Sequence, residues 1–434
     1  MRWLSLIARF FAILVVGLTV LVPFALRRIV KLRAPLAERQ ELFGAHLARL
    51  LERLGATFIK FGQILSTRPD LLSPPVLLAL ARLQDDVPPA SFACVRRVLD
   101  EDLGEDWQAA IVELDERPVA AASVAQVHRG VLADGREVAV KVQRPDAPAQ
   151  IDRDLAILTF WARAVDLIPA VRMLSLPGAV ERFGEALRGQ LDFRQEAANN
   201  RRFAKNFAEV EGVGVPPLVD ELCSARVLVM DFIAGVKATE PERVGGDRKK
   251  LARVGGETVL RMIFQDGFVH ADLHPGNIIL TPDDRVVLID LGMVSEIPQD
   301  LLRPWVETFV ALAQQDGATA ARLFYTYAPS VGSADYASFE RDVIENLEGL
   351  YGKRLGEVEV SVAVTGMMNV LRRHRVQIDP TFTVVNIALL VAEGLGKQLD
   401  PDIDLVPLAQ PYLARAMLQA PPGRPPWREV PSAL

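Results

Sequence analysis

Three oxygen-bearing side chains, Asp272, Asn277 and Asp290, limit what this chain can fold into more than any other feature of its 434 residues. The first two lie in His270-Ala-Asp-Leu-His-Pro-Gly-Asn277, and the third follows the apolar run Val286-Val-Leu-Ile289. A short apolar run closed by an Asp reads as a buried strand, which puts the three side chains on one hairpin. Three such groups suit a hard divalent cation, which takes oxygen ligands at short, fixed distances. One Asp to orient or deprotonate an attacking oxygen, with an Asn and a second Asp to hold Mg²⁺ on a triphosphate, points to phosphoryl transfer.

At this length the chain accommodates two lobes plus extensions. Half of its residues are hydrophobic and 24% are charged, so a large core is expected and general disorder is not. A formal net charge of −6 gives no overall pull toward nucleic acid. Cys94 and Cys223, the only two cysteines, are far apart and read as small buried hydrophobes with no metal or disulfide framework.

The amino terminus stands apart. From Trp3 to Leu26 the only charge is Arg9, and Arg27, Arg28, Lys31 and Arg33 follow. Leu4 to Leu26 is 23 residues, and a helix of that length reaches about 34 Å, enough for a hydrocarbon core of about 30 Å. Arg9, near the end, is expected to snorkel to the headgroups. The small-residue pattern of a cleavage site is missing around Pro23-Phe-Ala25, so a retained anchor is favoured over a cleaved signal. The heavier basic flank after the run places the catalytic body in the cytoplasm, on the inner membrane.

Helical spacing runs from Ala37 to Gln63, is broken at Ser66-Thr-Arg-Pro-Asp70, and resumes from Pro74-Pro75 through Leu83 and from Ser91 to Leu103. Strand-like segments follow at Ile111–Leu114, Val124–Leu132 and Arg136–Val142, the last two joined by Ala133-Asp-Gly135. Helices are expected over Ile151–Ile168 and Gly178–Ala208, then a buried strand at Val227–Met230 and a connector at Asp231–Gly235. Beyond Pro298 the periodicity is helical, and the tail bearing Pro421, Pro422, Pro425 and Pro426 is expected to be disordered. The domain boundaries expected are 1–30 for the anchor, 31–110 for a helical extension, 111–232 for an N-lobe, 233–420 for a helical C-lobe and 421–434 for the tail.

Lys141 closes the second strand of the hairpin, where kinase folds place the ammonium that meets the α- and β-phosphates and needs a helical carboxylate partner. Glu196, in Asp192-Phe-Arg-Gln-Glu-Ala-Ala198, is the best candidate. The phosphate-covering loop departs from expectation. Pro118-Val-Ala-Ala-Ala-Ser123 carries alanine where glycine normally lets backbone N–H groups approach phosphate. Among the histidines, His274 is assigned a structural role, since no second His or Cys sits at ligand spacing. His128 is expected to face solvent or the loop; His46 and His374 carry no signal.

Together these residues resemble the UbiB family (also called AarF) of atypical kinase-like proteins linked to ubiquinone biosynthesis. The resemblance runs from about Leu36 to the helices after residue 380. Lys60-Phe-Gly-Gln63 matches the family's Lys-x-Gly-Gln signature and is followed by Leu65-Ser-Thr-Arg-Pro-Asp-Leu-Leu72. Ala120-Ala-Ala-Ser123 matches its alanine-rich loop and runs into Gln126-Val-His128. The resemblance implies an α+β, two-lobed protein-kinase-like fold with a helical N-terminal extension and a largely helical C-terminal lobe. It implies ATP and Mg²⁺ as cofactors, with Lys141 and residues Ala120, Ala121, Ala122 and Ser123 on the nucleotide, Glu196 on Lys141, Asp272 as the catalytic residue, and Asn277 and Asp290 on the metal. The Lys60 and Gln63 helix would fold over the active site and obstruct a protein substrate, with Asp192 as its regulatory partner. Two departures stand out. The family's Glu-x-Asp motif reads Gln190-Leu-Asp192, and the hydrophobic carboxyl-terminal segments of many bacterial relatives are missing.

The function expected is a membrane-anchored, kinase-like ATPase supporting quinone or isoprenoid lipid metabolism. Its expected partners are a membrane lipid or quinone-like isoprenoid and proteins of quinone biosynthesis. Two alternatives remain open. A small-molecule phosphotransferase of the aminoglycoside or choline type shares the catalytic loop but needs neither the block from Leu36 to Asp70 nor the alanine loop. A nucleotide-sensing scaffold would use the same residues as a switch.

Overall fold

The computed structural model describes residues 2–30, 35–66, 72, 74–80, 83, 88–167, 176–332, 335–348 and 360–430. The break expected at Ser66–Asp70, and most of the signature running to Leu72, lie outside them. The chain divides into two compact units: Met1–Thr67, Leu71–Asn200 and Pro217–Phe232 form one, and Arg68–Asp70, Arg201–Pro216 and Ile233–Leu434 the other.

The first unit opens with α1 (Arg2–Val30), α2 (Leu36–Leu54), α3 (Ala56–Ser66) and α4 (Pro74–Leu80). The single helix expected over Ala37–Gln63 is two. Gly55, at φ 94°, ends α2 with its N–H directed at the Leu51 and Glu52 carbonyls, a backbone conformation that a Cβ would disfavour. Gly62 serves a different purpose. A Cβ there would sit 2.3 Å from a Leu83 methyl and 2.7 Å from a Leu51 methyl, so the signature glycine lets α3 lie close against α2.

Along α1, Phe11, Val15, Leu18, Val22 and Leu26 recur at helical spacing and are all exposed. The opposite face is docked. Phe10 stacks on Trp161, Val20 is buried, and Phe24 packs against Phe43 and His46. Arg9 does not reach for headgroups. Its guanidinium is bound to Asp154, because a fully buried carboxylate within reach is a better partner than water or lipid phosphate.

Next come α5 (Phe92–Leu103), α6 (Trp107–Ala110), β1 (Ile111–Leu114), β2 (Ala120–Ala121), β3 (Ala125–Leu132), β4 (Glu137–Gln143), α7 (Ala147–Asp166), α8 (Leu176–Gly189) and α9 (Phe193–Phe207). After β5 (Val213–Gly214), which belongs to the second unit, the chain returns for β6 (Val227–Asp231). The antiparallel sheet runs β1-β3-β4-β6, with β2 paired to β3. Alternation along β4 and β6 sorts its two faces. Val138, Val140, Val142, Val227 and Val229 pack with Val95, Val98 and Leu99 of α5, while Leu228 and Met230 pack with Ile151, Leu155, Phe183, Leu187 and Phe193 of α7 to α9. The one helix expected over Gly178–Ala208 breaks between α8 and α9, and Gln190-Leu-Asp192 is the break.

The second unit adds β7 (Val236–Lys237), α10 (Arg248–Phe264), β8 (Phe268–His270), β9 (Ile278–Leu280), β10 (Val286–Leu288), β11 (Val294–Glu296) and then helices only: α11 (Gln299–Ala313), α12 (Gly317–Thr326), α13 (Tyr336–Glu348), α14 (Val360–Arg373), α15 (Pro380–Leu399) and α16 (Leu405–Gln419). A four-stranded sheet runs β5-β10-β9-β7, and β8 pairs with β11. Residues 381–399 are apolar enough to cross a bilayer, yet that stretch is 61% buried and forms the core helix of this unit. The tail through residue 430 is not disordered. Arg424 and Trp427 donate backbone hydrogen bonds to Asp300 and Thr326, and the Arg424 guanidinium lies over the Trp427 ring. Both cysteines are half-buried free thiols rather than core residues.

Candidate functional site

In the first unit the candidate residues gather around β4. Lys141 pairs with Val127 of β3 and Leu228 of β6, and Leu228 faces α7 to α9, so the pleat turns Lys141 toward the same helices. Its Nζ lies 2.8 Å from both Oε1 and Oε2 of Glu196, which stands in the first turn of α9. The side chains are 12% and 7% exposed, so this is a largely desolvated, bidentate ion pair. Phe193, one turn earlier and fully buried, sets its ring 5.5 Å from the ammonium. Phe193 carried no chemical signal in the sequence beyond being apolar.

The alanine-rich loop is partly a strand. Ala120 pairs with Val127 and Ala121 with Gln126, and the Ala122 N–H donates to the Ala125 carbonyl, closing a tight turn around buried Ser123. His128 does not face solvent or the loop. It is fully buried on the inner side of β3, its Nδ1 2.7 Å from the Asp115 carbonyl and its Nε2 2.8 Å from the Gln126 amide. Gln126 in turn bonds the backbone of Ala90, so the Gln126-Val-His128 stretch ties β3 to the segment ahead of α5. Burial pushes the His128 pKa down, and the carbonyl of Asp115 opposes that only in part.

On α3, Gln63 donates from Nε2 to the Leu83 carbonyl, Phe61 packs edge-on against Phe183 of α8 at 5.0 Å, and Lys60 is half-buried. Asp192 is engaged by Arg194: Oδ1 accepts from Nε at 2.8 Å and Oδ2 from Nη2 at 2.7 Å. Those bonds hold its carboxyl below the usual range.

The second unit holds the hairpin. Leu288 pairs with Ile278, and the Ile289 N–H donates to the Asn277 carbonyl, so the ladder extends one step past both strands and sets Ile289, the residue before Asp290, opposite Asn277. The Asn277 amide donates to the Asp272 carbonyl at 3.0 Å, bracing the loop between β8 and β9. His274 accepts from the Gly276 N–H through Nδ1, consistent with a structural role. His270, which the motif alone did not single out, belongs to the same hairpin. Its ring is buried; Nδ1 accepts from the Asp272 N–H at 3.1 Å, and Nε2 donates to the Ile289 carbonyl at 3.4 Å. Burial pushes its pKa down, against the opposing pull of Asp272. One imidazole thereby fixes the backbone of Asp272 to the residue before Asp290.

Asp290 itself has φ 55°, in the left-handed region that a non-glycine residue adopts at a cost. Non-glycine residues held so are concentrated at sites where the side chain must be aimed. The donor set, two carboxylates and one amide, fits a hard cation that also takes phosphate oxygens. Among the described residues no group of three or more His, Cys, Asp or Glu is placed to hold a metal ion.

The chain resembles known families over most of its length. The family model for the ABC1 atypical kinase-like domain matches residues 82–324, and that for the UbiB helical domain matches 343–404. A protein of Aeromonas hydrophila called "Probable protein kinase UbiB" is 36% identical over 385 residues, covering 87% of this chain and 70% of that one. A Vibrio cholerae protein of the same name is 32% identical over 405 residues, covering 89% and 74%. Among solved structures, the Mycobacterium tuberculosis protein Rv3197, in complex with erythromycin, matches with a TM-score of 0.50 at 25% identity, over 81% of this chain and 94% of that one.

Proposed function

The chain belongs to the UbiB family of atypical kinase-like proteins, and we propose that it is a membrane-anchored, kinase-like ATPase that binds Mg-ATP and supports biosynthesis of ubiquinone or a related isoprenoid lipid. The observation that carries this reading is the buried, bidentate Lys141–Glu196 pair. A buried ion pair is a poor source of stability, since apolar residues of the same size serve as well. It is a good way to hold an ammonium extended and charged for an anion.

Each residue then has a task. Lys141 meets the α- and β-phosphates, Glu196 fixes its rotamer, and Ala120 to Ser123 cover the phosphates while their methyl groups restrict how closely backbone N–H groups approach. Asp272 orients or accepts the proton of the attacking oxygen. Asn277 and Asp290 supply oxygens to Mg²⁺, which when bound neutralises charge developing on the transferred phosphoryl group. His270 holds Asp272 and Asp290 in register through their backbones. Lys60, Gln63 and Asp192 regulate access, with Gln190 standing where the family carries a glutamate and Asp192 engaged by Arg194. The exposed apolar stripe of α1, followed by Arg27 and Arg28, is the contact with the inner membrane, the body lying in the cytoplasm. Proteins of quinone biosynthesis are the expected partners there.

Nucleotide titration with Mg²⁺, followed by quinone profiling of a deletion strain carrying each variant, tests the proposal. Lys141→Met and Asp290→Asn are expected to lose Mg-ATP affinity and to fail in rescue. Full affinity and turnover in Asp290→Asn would overturn it, as would efficient phosphorylation of a hydroxylated small molecule by the wild-type protein.

A further inference from the structure

The helices of the second unit enclose a cavity of about 190 Å³ between α10, α11, α14, α15 and α16. Its wall is almost wholly apolar, with Phe264, Phe309, Met367, Phe382 and Leu413 among its lining residues. Three polar side chains, Gln315, Asn386 and Gln410, interrupt that wall, and Asn386 is the most deeply buried of them. Asn386 of α15 is 5% exposed, and its Nδ2 has no hydrogen-bond partner among the described residues. Gln410, exposed on α16, lines the same cavity where it meets solvent.

Neither feature is a packing accident. An apolar hole of roughly 150 Å³ is already large enough to take a benzene-sized solute, and Ala363 and Ala409 line this larger one, so a single bigger side chain would fill it. A buried amide donor left unpaired is equally costly, and a leucine of similar volume would remove the problem. An apolar chamber with one buried, unpaired donor in its wall is complementary to an apolar chain carrying one acceptor oxygen.

We propose that this cavity binds a lipid-like molecule: an apolar chain with a single carbonyl-type oxygen that accepts from Asn386 Nδ2. The inference rests on the lipid-linked reading above and deepens it by giving its lipid a place in the helical region, in a cavity lined by none of the residues assigned to ATP and Mg²⁺. The phosphate-handling residues are not needed for the chain to bind.

The test uses the full chain in nanodiscs, with empty nanodiscs as blank, and measures uptake of methyl heptyl ketone and of nonane by equilibrium dialysis. The two probes have the same carbon skeleton and differ by the oxygen. Wild-type protein is expected to hold the ketone about tenfold more tightly than Asn386→Leu does, one hydrogen bond's worth, while nonane binds both alike. Ala409→Phe is expected to exclude both probes. Asn386→Leu should melt no lower than wild type, since it removes an unpaired donor. Equal ketone affinity in wild type and Asn386→Leu, or no uptake of either probe, would overturn the proposal. Nucleotide titration of the same samples separates the two readings: Asn386-dependent ketone binding in a protein that does not bind nucleotide supports the cavity and sinks the ATPase instead.

Discussion

Arg9 and Asp154 form a two-pronged ion pair between α1 and α7: Nε meets Oδ1 at 2.7 Å and Nη2 meets Oδ2 at 2.9 Å. A second bond from Nη2 to the Leu54 carbonyl, at 2.6 Å, adds the end of α2 to the clamp. Asp154 is wholly buried, whereas Arg9 keeps 26% of its side chain exposed. The only charge in the long apolar run of α1 therefore fastens that helix to the body. Leaving the buried carboxylate without its guanidinium should cost about 3–5 kcal/mol, most of it the burden of an unpaired charge. Arg9→Met alone is expected to lower the melting temperature in nanodiscs sharply, and Arg9→Met with Asp154→Leu to recover most of the loss. A double variant no more stable than the single one would show that the pair matters for something other than charge compensation.

The Lys141–Glu196 pair should behave differently, because its value lies in binding. Glu196→Gln keeps the shape and removes the charge that holds the ammonium. Mg-nucleotide affinity is expected to fall about tenfold, matching the loss of one charge-assisted hydrogen bond, while a Lys141→Met, Glu196→Met double variant melts at or above the wild-type temperature. Isothermal titration and differential scanning calorimetry on the same samples distinguish the two effects. Unchanged affinity in Glu196→Gln would remove the pair from the nucleotide site.

His128 gives a pH dependence whose sign follows from its burial. A histidine whose folded-state pKa is depressed binds fewer protons folded than unfolded. Its contribution to stability is complete above the unfolded value of about 6.5 and is lost as pH falls from there toward the folded-state value. Urea midpoints followed by the fluorescence of buried Trp107, which shares the first unit's core with Val138 and Val140, should drop between about pH 8 and about pH 5. His128→Gln is expected to flatten that drop. A wild-type midpoint that rises on acidification would contradict the assignment of a neutral, buried ring.

How much of this was legible in the sequence depends on the range of the interaction. The β3–β4 hairpin, the strand before the connector and the position of Asp290 followed from alternation and turn residues, all local signals. Lys141 and Glu196 were paired across 55 positions by what a kinase-type lysine requires and not by periodicity, and register then explains why they meet: Lys141 and Leu228 share the face that α9 covers. The division of the first long helix at Gly55 did not follow from the sequence, because helical periodicity continues through Gln63 and does not report the positive φ at which α2 ends. His128 was misplaced because alternation says which residues share a face, not which face is covered; α5 and the Ala90 segment cover it from far along the chain. The tail was misjudged for a related reason: proline-rich composition reports the lack of helix, not the lack of contacts.

Asp290 supplies the sharpest test, because its backbone and its side chain ask for different residues. At φ 55° a glycine fits without strain, while alanine carries the full penalty of a Cβ in the left-handed region, about 1 kcal/mol. Both substitutions delete the carboxylate equally, so whatever that group bonds to is lost in each. Asp290→Gly is therefore expected to be more stable than Asp290→Ala by that amount in urea unfolding, and both should lose Mg²⁺-dependent nucleotide binding. Equal stability would mean the hairpin relaxes out of the left-handed conformation once the carboxylate is gone, so that the side chain's own interactions, rather than the β9–β10 ladder, hold Asp290 in place. Retained binding in either variant would remove Asp290 from the metal and leave the strained backbone without a purpose.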